Sequence, residues 1–526
     1  MDKKYIPIIV IIFAVIIGLS GVIVFKDQLF GGKDSETKEK VTSKKESKSD
    51  LKMEGNSLSD FDLAFLKLEN GEVNKVYSPL SIKYALEMLS EGADGNTKSQ
   101  LDAVIGNYVA RKYTNGKNMS FANGLFVRDT FKDDVKTTYV DTLKDVYGAE
   151  VYFDNFASPK VVNQWVSDKT FKLIPDLFDD VSSFDYILVN ALAIDMEWVN
   201  KIQSEHVDYS VEFAHEQVEA EPNAEYPHDY DTGVYVSSLD CSGYHSLKFN
   251  GNDNIKSVEI SAVANKFDII SELGEEDIRS TVLKEYEAWK KTVDSYELQY
   301  DTFDINEYMK ELKGNFGHVS SSTDFLFYND EDVKVFAKDL RTYDGKTLQY
   351  VGIMPKKDKL STFVENMDSK KINGYINGLK DIESDSFEDG YITIIEGYIP
   401  MFDFEYELDL MEDLKKLGIT DVFDSEKSDL SNLSSSGTYI DSAVHKANIE
   451  FSNDGIKAAA ATAMGGKGGI DMGFEYRFTA PVKRINLTFD NPYMYLVRDK
   501  DTGEVWFTGT VYEPKKLSSS DYEPMY

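Results

Sequence analysis

A strand pattern that runs directly into a segment of small residues constrains the fold of this chain most. Apolar residues alternate with polar ones from His445 to Phe451, which predicts a strand with one apolar face. The stretch GIKAAAATAMGGKGG follows at residues 455–469 and combines four consecutive alanines with glycines on both sides. Alanine favours a helix, whereas the flanking glycines disfavour any fixed conformation. This segment therefore requires small side chains without being committed to one fold.

The N-terminus carries an apolar run from Tyr5 to Phe25. Its length is roughly the 20 residues that a membrane-spanning helix requires, so it predicts a transmembrane signal-anchor over residues 5–25. Lys3 and Lys4 favour a short cytoplasmic end over residues 1–4, with the bulk of the chain extracellular. A cleaved signal peptide and a secreted protein are the alternative, although no clear A-x-A cleavage pattern is present. The polar, aperiodic residues 26–56 predict a flexible linker.

Composition and motifs exclude several classes of function. The net charge of −35 argues against nucleic acid as a partner, because phosphate would be repelled. Cys241 is the single cysteine, so no disulfide can form within the chain. The histidines show no metal-ligand spacing, and neither a phosphate-binding loop nor a G-x-S-x-G motif occurs. We therefore expect no catalytic residue, no metal and no cofactor, and a protein that is not an enzyme.

Helical patterns come early in the chain and strand patterns come late. The segment SPLSIKYALEML at 78–89 has apolar residues at helical spacing. The segment NPYMYLVRDKDTGEVWFTGTVYEP at 491–514 predicts two strands joined by a turn near Gly503. This order favours an α+β arrangement over a parallel βαβ series.

Six segments resemble the motifs of the serpin family and occur in the family's order. They are NKVYSPLSIKYALEMLSEGADGNTKSQL (74–101), FANGLFV (121–127), LVNALAIDMEW (188–198), LGITDVFD (417–424), HKANIEFSNDGIKAAAATA (445–463) and FDNPYMYLVRDKDTGEVWFTGTVYEP (489–514). The resemblance extends over most of the chain beyond the linker. It implies a serpin fold, with a helical N-terminal half, a large central mixed β-sheet and an exposed reactive-centre loop.

The resemblance also gives a role to the alanine-rich segment. In serpins, the matching residues form the hinge of the reactive loop, and insertion of this loop as an extra strand is a standard example of strand addition. The buried face of an inserting strand must be small and uncharged, and a glycine lets the chain swivel. The hinge residues that the resemblance implies are Gly455, Ile456, Ala458, Ala459, Ala460, Ala461 and Thr462.

Two further groups follow from the resemblance alone. Ser78, Ser81, Asn190 and His445 match the serpin shutter, a polar cluster beneath the point where the central strands part. His445 is equally consistent with an ordinary buried core histidine. Trp198 matches the tryptophan of the breach, where insertion begins, and is also consistent with a core aromatic residue.

The resemblance also sets the expected domain limits. The serpin domain is expected over residues 57–516, followed by a C-terminal tail at 517–526. An insertion is expected at about residues 205–320, which is longer than an ordinary loop. Within it, apolar residues recur at steps of three and four residues, which predicts an amphipathic helix over Ile278, Val282, Tyr286, Trp289, Val293 and Tyr296.

Counting from Asn453 by the family's spacing places the reactive bond between Gly469 and Ile470. Because glycine offers no side chain to a specificity pocket, other residues nearby stay candidates for the position before the bond. They are Lys467, Met472, Phe474, Tyr476 and Arg477.

Together with the predicted N-terminal anchor, the resemblance leads us to expect a monomeric, membrane-anchored inhibitor of serine proteases. The target protease would cleave the loop, form a covalent acyl-enzyme and be trapped when the loop inserts. A cysteine protease is an alternative target. The competing class is a non-inhibitory serpin that acts as a binding or structural module.

Overall fold

The fold is described from a computed structural model of the chain. It describes residues 8–19, 52–53, 57–172, 174–199, 202, 245–264, 269–293, 295–299, 301–315, 325–381, 392–452, 474, 476, 478 and 482–518. The helices are α1 (Asp60–Leu68), α2 (Pro79–Gly92), α3 (Gly95–Ile105), α4 (Thr137–Tyr147), α5 (Lys160–Lys169), α6 (Ile269–Leu273), α7 (Glu275–Trp289), α8 (Ser295–Leu298), α9 (Ile305–Asn315), α10 (Leu360–Asn366), α11 (Ser369–Asn377) and α12 (Leu410–Lys416).

Three sheets hold the strands of the described residues. The main sheet has the order β12 (Phe402–Asp409), β13 (Thr438–Phe451), β1 (Ile8–Leu19), β5 (Tyr186–Asp195), β3 (Met119–Arg128) and β4 (Glu150–Asp154). The second sheet has the order β2 (Lys75–Tyr77), β16 (Val505–Val511), β15 (Tyr493–Asp499), β10 (Leu348–Pro355), β9 (Val333–Asp339) and β8 (Phe325–Asn329). The third has the order β14 (Val482–Asn486), β11 (Ile392–Pro400), β7 (Asn252–Ala264) and β6 (His245–Phe249).

The prediction of an α+β fold with helices in the first half and a large mixed sheet is confirmed. Helices α1 to α5 all precede residue 170. The main sheet is mixed, because β3 and β4 are parallel whereas the other neighbours are antiparallel. The helix over 78–89 and the hairpin near Gly503 are also present, as α2 and as β15 with β16.

The periodicities that predicted these elements correspond to what each element buries. In β13, the four residues His445, Ala447, Ile449 and Phe451 are all at most 2% exposed, and they lie on one face of the strand. Helix α2 begins after Ser78, whose side-chain oxygen accepts a hydrogen bond from the Ser81 backbone N–H. Pro79 stands at its first turn, where its missing N–H costs nothing.

The N-terminal apolar run differs from the helix that its sequence predicts. Residues Ile8–Leu19 form strand β1, which pairs antiparallel with β5 on one side and with β13 on the other. Within the described part of the chain, no helix is long and apolar enough to cross a membrane. Isoleucine and valine dominate this run and have stiff, strand-favouring side chains, and the main sheet gives the run a partner along each edge.

The range 205–320, expected as an insertion, contains elements of two kinds. Strands β6 and β7 lie inside this range, and β7 pairs antiparallel with β11 as part of the third sheet. Helices α6 to α9 follow. The predicted amphipathic helix is present as α7 from Ile278 to Trp289, but α7 ends there, and Tyr296 belongs to the separate helix α8.

Candidate functional site

Trp198 fixes the end of strand β13, from which the predicted reactive loop continues. Its indole Nε1 donates a hydrogen bond to the Ser452 carbonyl oxygen at 2.9 Å. The indole packs edge-to-face on Phe451 and Tyr350, with ring centroids 5.6 Å and 6.1 Å away. Trp198 is 3% exposed, so this contact is shielded from water. The predicted breach tryptophan therefore holds the last described residue before the predicted hinge, and its role in insertion stays a prediction.

Three of the four predicted shutter residues meet where helix α2 begins. The Ser78 backbone N–H donates to His445 Nε2 at 2.9 Å, and the Ser81 N–H donates to Ser78 Oγ at 3.0 Å. Ser78, Ser81 and His445 are all fully buried. Because Nε2 accepts a hydrogen bond, the neutral imidazole carries its proton on Nδ1. Burial lowers the pKa of His445 to about 3, so the ring is uncharged at neutral pH.

The fourth predicted shutter residue, Asn190, belongs to a separate hydrogen-bonded chain. Its Nδ2 donates to Asn123 Oδ1 at 2.7 Å, and Asn123 Nδ2 donates to the Tyr147 carbonyl oxygen at 2.8 Å. Asn190 and Asn123 are opposite one another in β5 and β3. These bonds tie the inner strands of the main sheet to the end of helix α4.

Strand β1 lies between the two polar groups. Phe13 is the register partner of His445 in β13 and of Asn190 in β5. The structure thus places all four predicted shutter residues near one level of the main sheet, but on opposite sides of an intervening strand. The space between β5 and β13 holds one complete strand, which here is β1. An inserting loop would need this same position.

The other predicted site residues lie outside the described residues. They are the hinge residues Gly455, Ile456, Ala458, Ala459, Ala460, Ala461 and Thr462, and the reactive-bond residues Gly469 and Ile470. Their roles stay predictions. The loop's two ends are described, at Ser452 and at Phe474.

The chain beyond the loop has partners that sequence reasoning missed. Phe474, Tyr476 and Phe478 pack on helices α7 and α9, and strand β14 then joins the third sheet parallel to β11. The alternate spacing of these three aromatic residues is the sequence signal for an extended segment with one apolar face. Phe474 and Tyr476 were candidates for the residue before the reactive bond, and both have partly buried side chains here.

The described residues contain no group of three or more His, Cys, Asp or Glu side chains that could hold a metal ion. The site consists of a sheet that holds a strand between β5 and β13, and of a chain that leaves β13 next to that strand.

Comparison with known proteins identifies the class to which such a strand-accepting α+β fold belongs. The family model described as "Serpin (serine protease inhibitor)" matches residues 58–222 and 287–514. The chain belongs to the serpin family. At the level of the family, this match points to protease inhibition.

Individual relatives are distant but match along most of their length. Human Serpin B4 is 22% identical over 502 residues, covering 88% of this chain and 99% of that protein. Mouse neuroserpin is 21% identical over 481 residues, covering 86% of this chain and 88% of that protein. The native-state structure of tengpin, a thermophilic serpin, aligns with a TM-score of 0.53 at 19% identity, covering 86% of this chain and 92% of that one. At these identities, the structural likeness shows the fold alone.

Proposed function

We propose that this chain inhibits a serine protease by suicide cleavage, covalent trapping and insertion of its reactive loop. The observation that carries the proposal is the extra strand between β5 and β13, which is antiparallel to both. A chain that turns back after β13 runs antiparallel to it, and therefore in the direction of β1. The loop that follows Ser452 thus starts beside a position of suitable width and direction.

The covalent step uses the chemistry of the protease. Its serine Oγ attacks the carbonyl carbon of the residue before the cleaved bond, and the serine proton passes through the protease histidine to the leaving amine. The C–N bond breaks, and an acyl ester joins the protease to the N-terminal part of the loop. Water would normally hydrolyse this ester, so inhibition requires insertion to be faster than hydrolysis.

The main sheet can supply the driving force for insertion. Strand β1 is paired with β5 over ten successive residue pairs, from Ile8 opposite Asp195 to Ile17 opposite Tyr186. Each backbone hydrogen bond contributes a net of about 1 kcal/mol, and burial of apolar side chains adds to it. Once β1 has left this position, a loop that formed a comparable strand there would gain enough free energy to make insertion irreversible during an assay.

The substitution Ala460→Glu tests the proposal. Side chains alternate across a strand, so Ala460 and Ala461 would enter the sheet with opposite orientations. An ionisable group that must be buried costs several kcal/mol, which slows insertion and leaves time for hydrolysis. We expect the number of inhibitor molecules consumed per protease inactivated to rise about ten-fold or more. Ala461→Glu adds the same charge on the other face and should change this number little.

An equal effect of the two substitutions, or no effect of either, would argue against insertion of this segment. The competing proposal is a non-inhibitory serpin, in which β1 keeps its place in the main sheet and the loop does not insert. Melting before and after the loop is nicked by a protease separates the two. A large rise in melting temperature after nicking is expected of an inserting loop, whereas a non-inhibitory serpin should show none.

A further inference from the structure

Helices α6, α7 and α9 form an apolar cluster of their own, distinct from the core around the sheets. Its buried members are Ile270, Ile278, Val282, Met309, Leu312 and Phe478. The first five belong to the helices, whereas Phe478 belongs to the segment between the reactive loop and β14. The helices therefore complete their core with a residue from the far end of the loop.

Two further residues of this segment contact the same helices. The Phe474 ring lies 5.0 Å from the Tyr286 ring and 4.9 Å from the Phe303 ring, measured between centroids. It also lies 5.7 Å from the Trp289 ring. Each such aromatic pair contributes about 0.5–1.5 kcal/mol beyond the area that it buries.

Tyr476 is held by its backbone as well as by its ring. The Tyr308 hydroxyl donates a hydrogen bond to the Tyr476 carbonyl oxygen at 3.1 Å. The two rings are edge-to-face at 6.2 Å. A bond to the backbone restrains the path of the chain whatever side chain it carries.

Polar contacts hold α7 and α9 together. Lys313 Nζ on α9 lies 2.7 Å from Glu275 Oε2 on α7. The Arg279 guanidinium donates to Asn306 Oδ1 at 2.9 Å, and this bond also joins α7 to α9. The Tyr286 hydroxyl, beside Phe474, donates to Asp301. The aromatic surface that receives the segment is thus fixed from both helices.

We propose that α7, α9 and Phe303 form a clamp on Phe474, Tyr476 and Phe478. This clamp protects the peptide bonds after Phe474, Tyr476 and Phe478 from proteases. The clamp positions the C-terminal end of the reactive loop and makes Phe474 the limit of the accessible part. It deepens the proposed function, because it would determine which bond a target protease can reach.

Restricting the cleaved bond matters for trapping. A cut after Phe474 instead of after Gly469 would add five residues to the inserting part of the loop. Because the strand position in the sheet has a fixed length, these residues would stay outside it and leave the attached protease about 17 Å of slack at 3.3 Å per residue. A protease on a slack tether is less distorted, so it could hydrolyse its ester and escape.

Nick mapping with chymotrypsin, which cuts after aromatic residues, tests the clamp on the full-length chain. Mass spectrometry would measure the rate of cuts after residues 474, 476 and 478 with excess protease. Phe303→Ala removes a contact to Phe474 without altering the loop, and we expect it to raise this rate about ten-fold or more. Leu283→Ala is the matched control, because Leu283 is an exposed residue of α7 at 37% exposure. Its rate should stay within two-fold of wild type.

Tyr308→Phe is the second variant, because it removes only the hydroxyl that bonds to Tyr476. We expect its rate of cutting to be about three- to ten-fold above wild type. If Phe303→Ala also raises cutting within α7 and α9, then the helices have loosened, and the result for Tyr308→Phe decides. The clamp would then be overturned if Tyr308→Phe were cut after residues 474, 476 and 478 within two-fold of the wild-type rate. It would also be overturned, whether or not the helices loosen, if both variants were cut there within two-fold of the wild-type rate.

The proposed function and the clamp can fail separately. Nick mapping does not depend on inhibition, so a protected segment in a chain that traps no protease would retain the clamp and reject the inhibitor. If the chain does inhibit, Phe303→Ala should also increase the number of inhibitor molecules consumed per protease, with new cuts after Phe474.

Discussion

His445 is the residue at which the site responds to pH. It is fully buried, and its Nε2 accepts a hydrogen bond from the Ser78 backbone N–H. Burial lowers its pKa from 6.5 to about 3. As the pH falls below 6.5, the unfolded chain takes up a proton on this imidazole whereas the folded chain does not. Stability from this group is therefore complete above pH 6.5 and is progressively lost down to about pH 3.

The expected loss is about 1.4 kcal/mol per pH unit, or about 2 kcal/mol between pH 6.5 and 5. His445→Gln keeps an acceptor for the Ser78 N–H but cannot take up a proton. We therefore expect the free energy of unfolding, measured in urea at pH 7.5 and 5.0, to fall by about 2 kcal/mol less in His445→Gln than in wild type. Equal losses in the two proteins would contradict a neutral His445.

Glu87 changes the stability of the fold with pH in the opposite direction to His445. For this reason, His445→Gln has to be compared with wild type at each pH. Burial raises its pKa from 4.5 to about 7, so the folded chain binds a proton there before the unfolded chain does. Acid therefore stabilises the fold through Glu87 as the pH falls from 7 towards 4.5. Because wild type and His445→Gln both contain Glu87, this contribution cancels in the difference between them.

At the scale of elements, a buried ion pair joins α1 to α2, the helix that begins at the predicted shutter serines. Lys83 Nζ lies 2.6 Å from Asp62 Oδ1, and both side chains are 0% exposed. The Ser59 backbone N–H and hydroxyl both donate to Asp62 Oδ2, at 2.7 Å and 2.9 Å. The carboxylate is thus held at the start of α1, where the positive end of the helix dipole also favours it.

Lys83→Met should lower the free energy of unfolding by about 3–5 kcal/mol, because it leaves the Asp62 carboxylate buried without its cation. The double variant Asp62→Asn/Lys83→Met removes both charges and should recover much of this loss. Lys98→Met on α3 is the control, since the pair of Lys98 with Asp102 is exposed and contributes about 0.5 kcal/mol. Urea unfolding measures all three, and a Lys83→Met loss as small as that of Lys98→Met would refute the importance of the pair.

Local periodicity predicted the elements whose pattern is visible within their own residues. The alternation in β13 and the helical spacing in α2 are examples. It could not predict β1, because an apolar run of about 20 residues suits a bilayer and a central strand equally, and only the whole fold shows which edges it can pair with. Lys83 was missed for a similar reason: a lysine within a helix normally indicates a solvated face. The contacts of Phe474 depend on helices more than 150 residues earlier in the chain.

At the scale of the whole molecule, the N-terminal segment occupies the place that the proposed loop insertion would need. β1 is paired on both edges, with β13 from Ile9 opposite Ile449 to Leu19 opposite Thr438. The main sheet cannot hold β1 and an inserted loop between β5 and β13 at once. The apolar segment also suits the bilayer that its sequence predicts. Insertion of the loop therefore requires β1 to leave the sheet, and a location in a membrane would keep it out.

Ile12→Pro should release this competition. Ile12 lies at the middle of β1, opposite Lys446 and Ala191, where a proline lacks the N–H that a central strand needs. The cost of about 3 kcal/mol or more should displace β1, so we expect the uncut chain to trap a target protease at least ten-fold faster in detergent-free solution. Ser43→Pro, in the predicted linker, is the matched control and should leave the rate unchanged.

Ile12→Pro should also lower the melting temperature of the uncut chain by about 5 °C, because the sheet loses a paired strand. If Ile12→Pro lowered the melting temperature while the trapping rate stayed at the wild-type value, β1 would be part of the sheet without competing with the loop, and insertion would have to occur elsewhere.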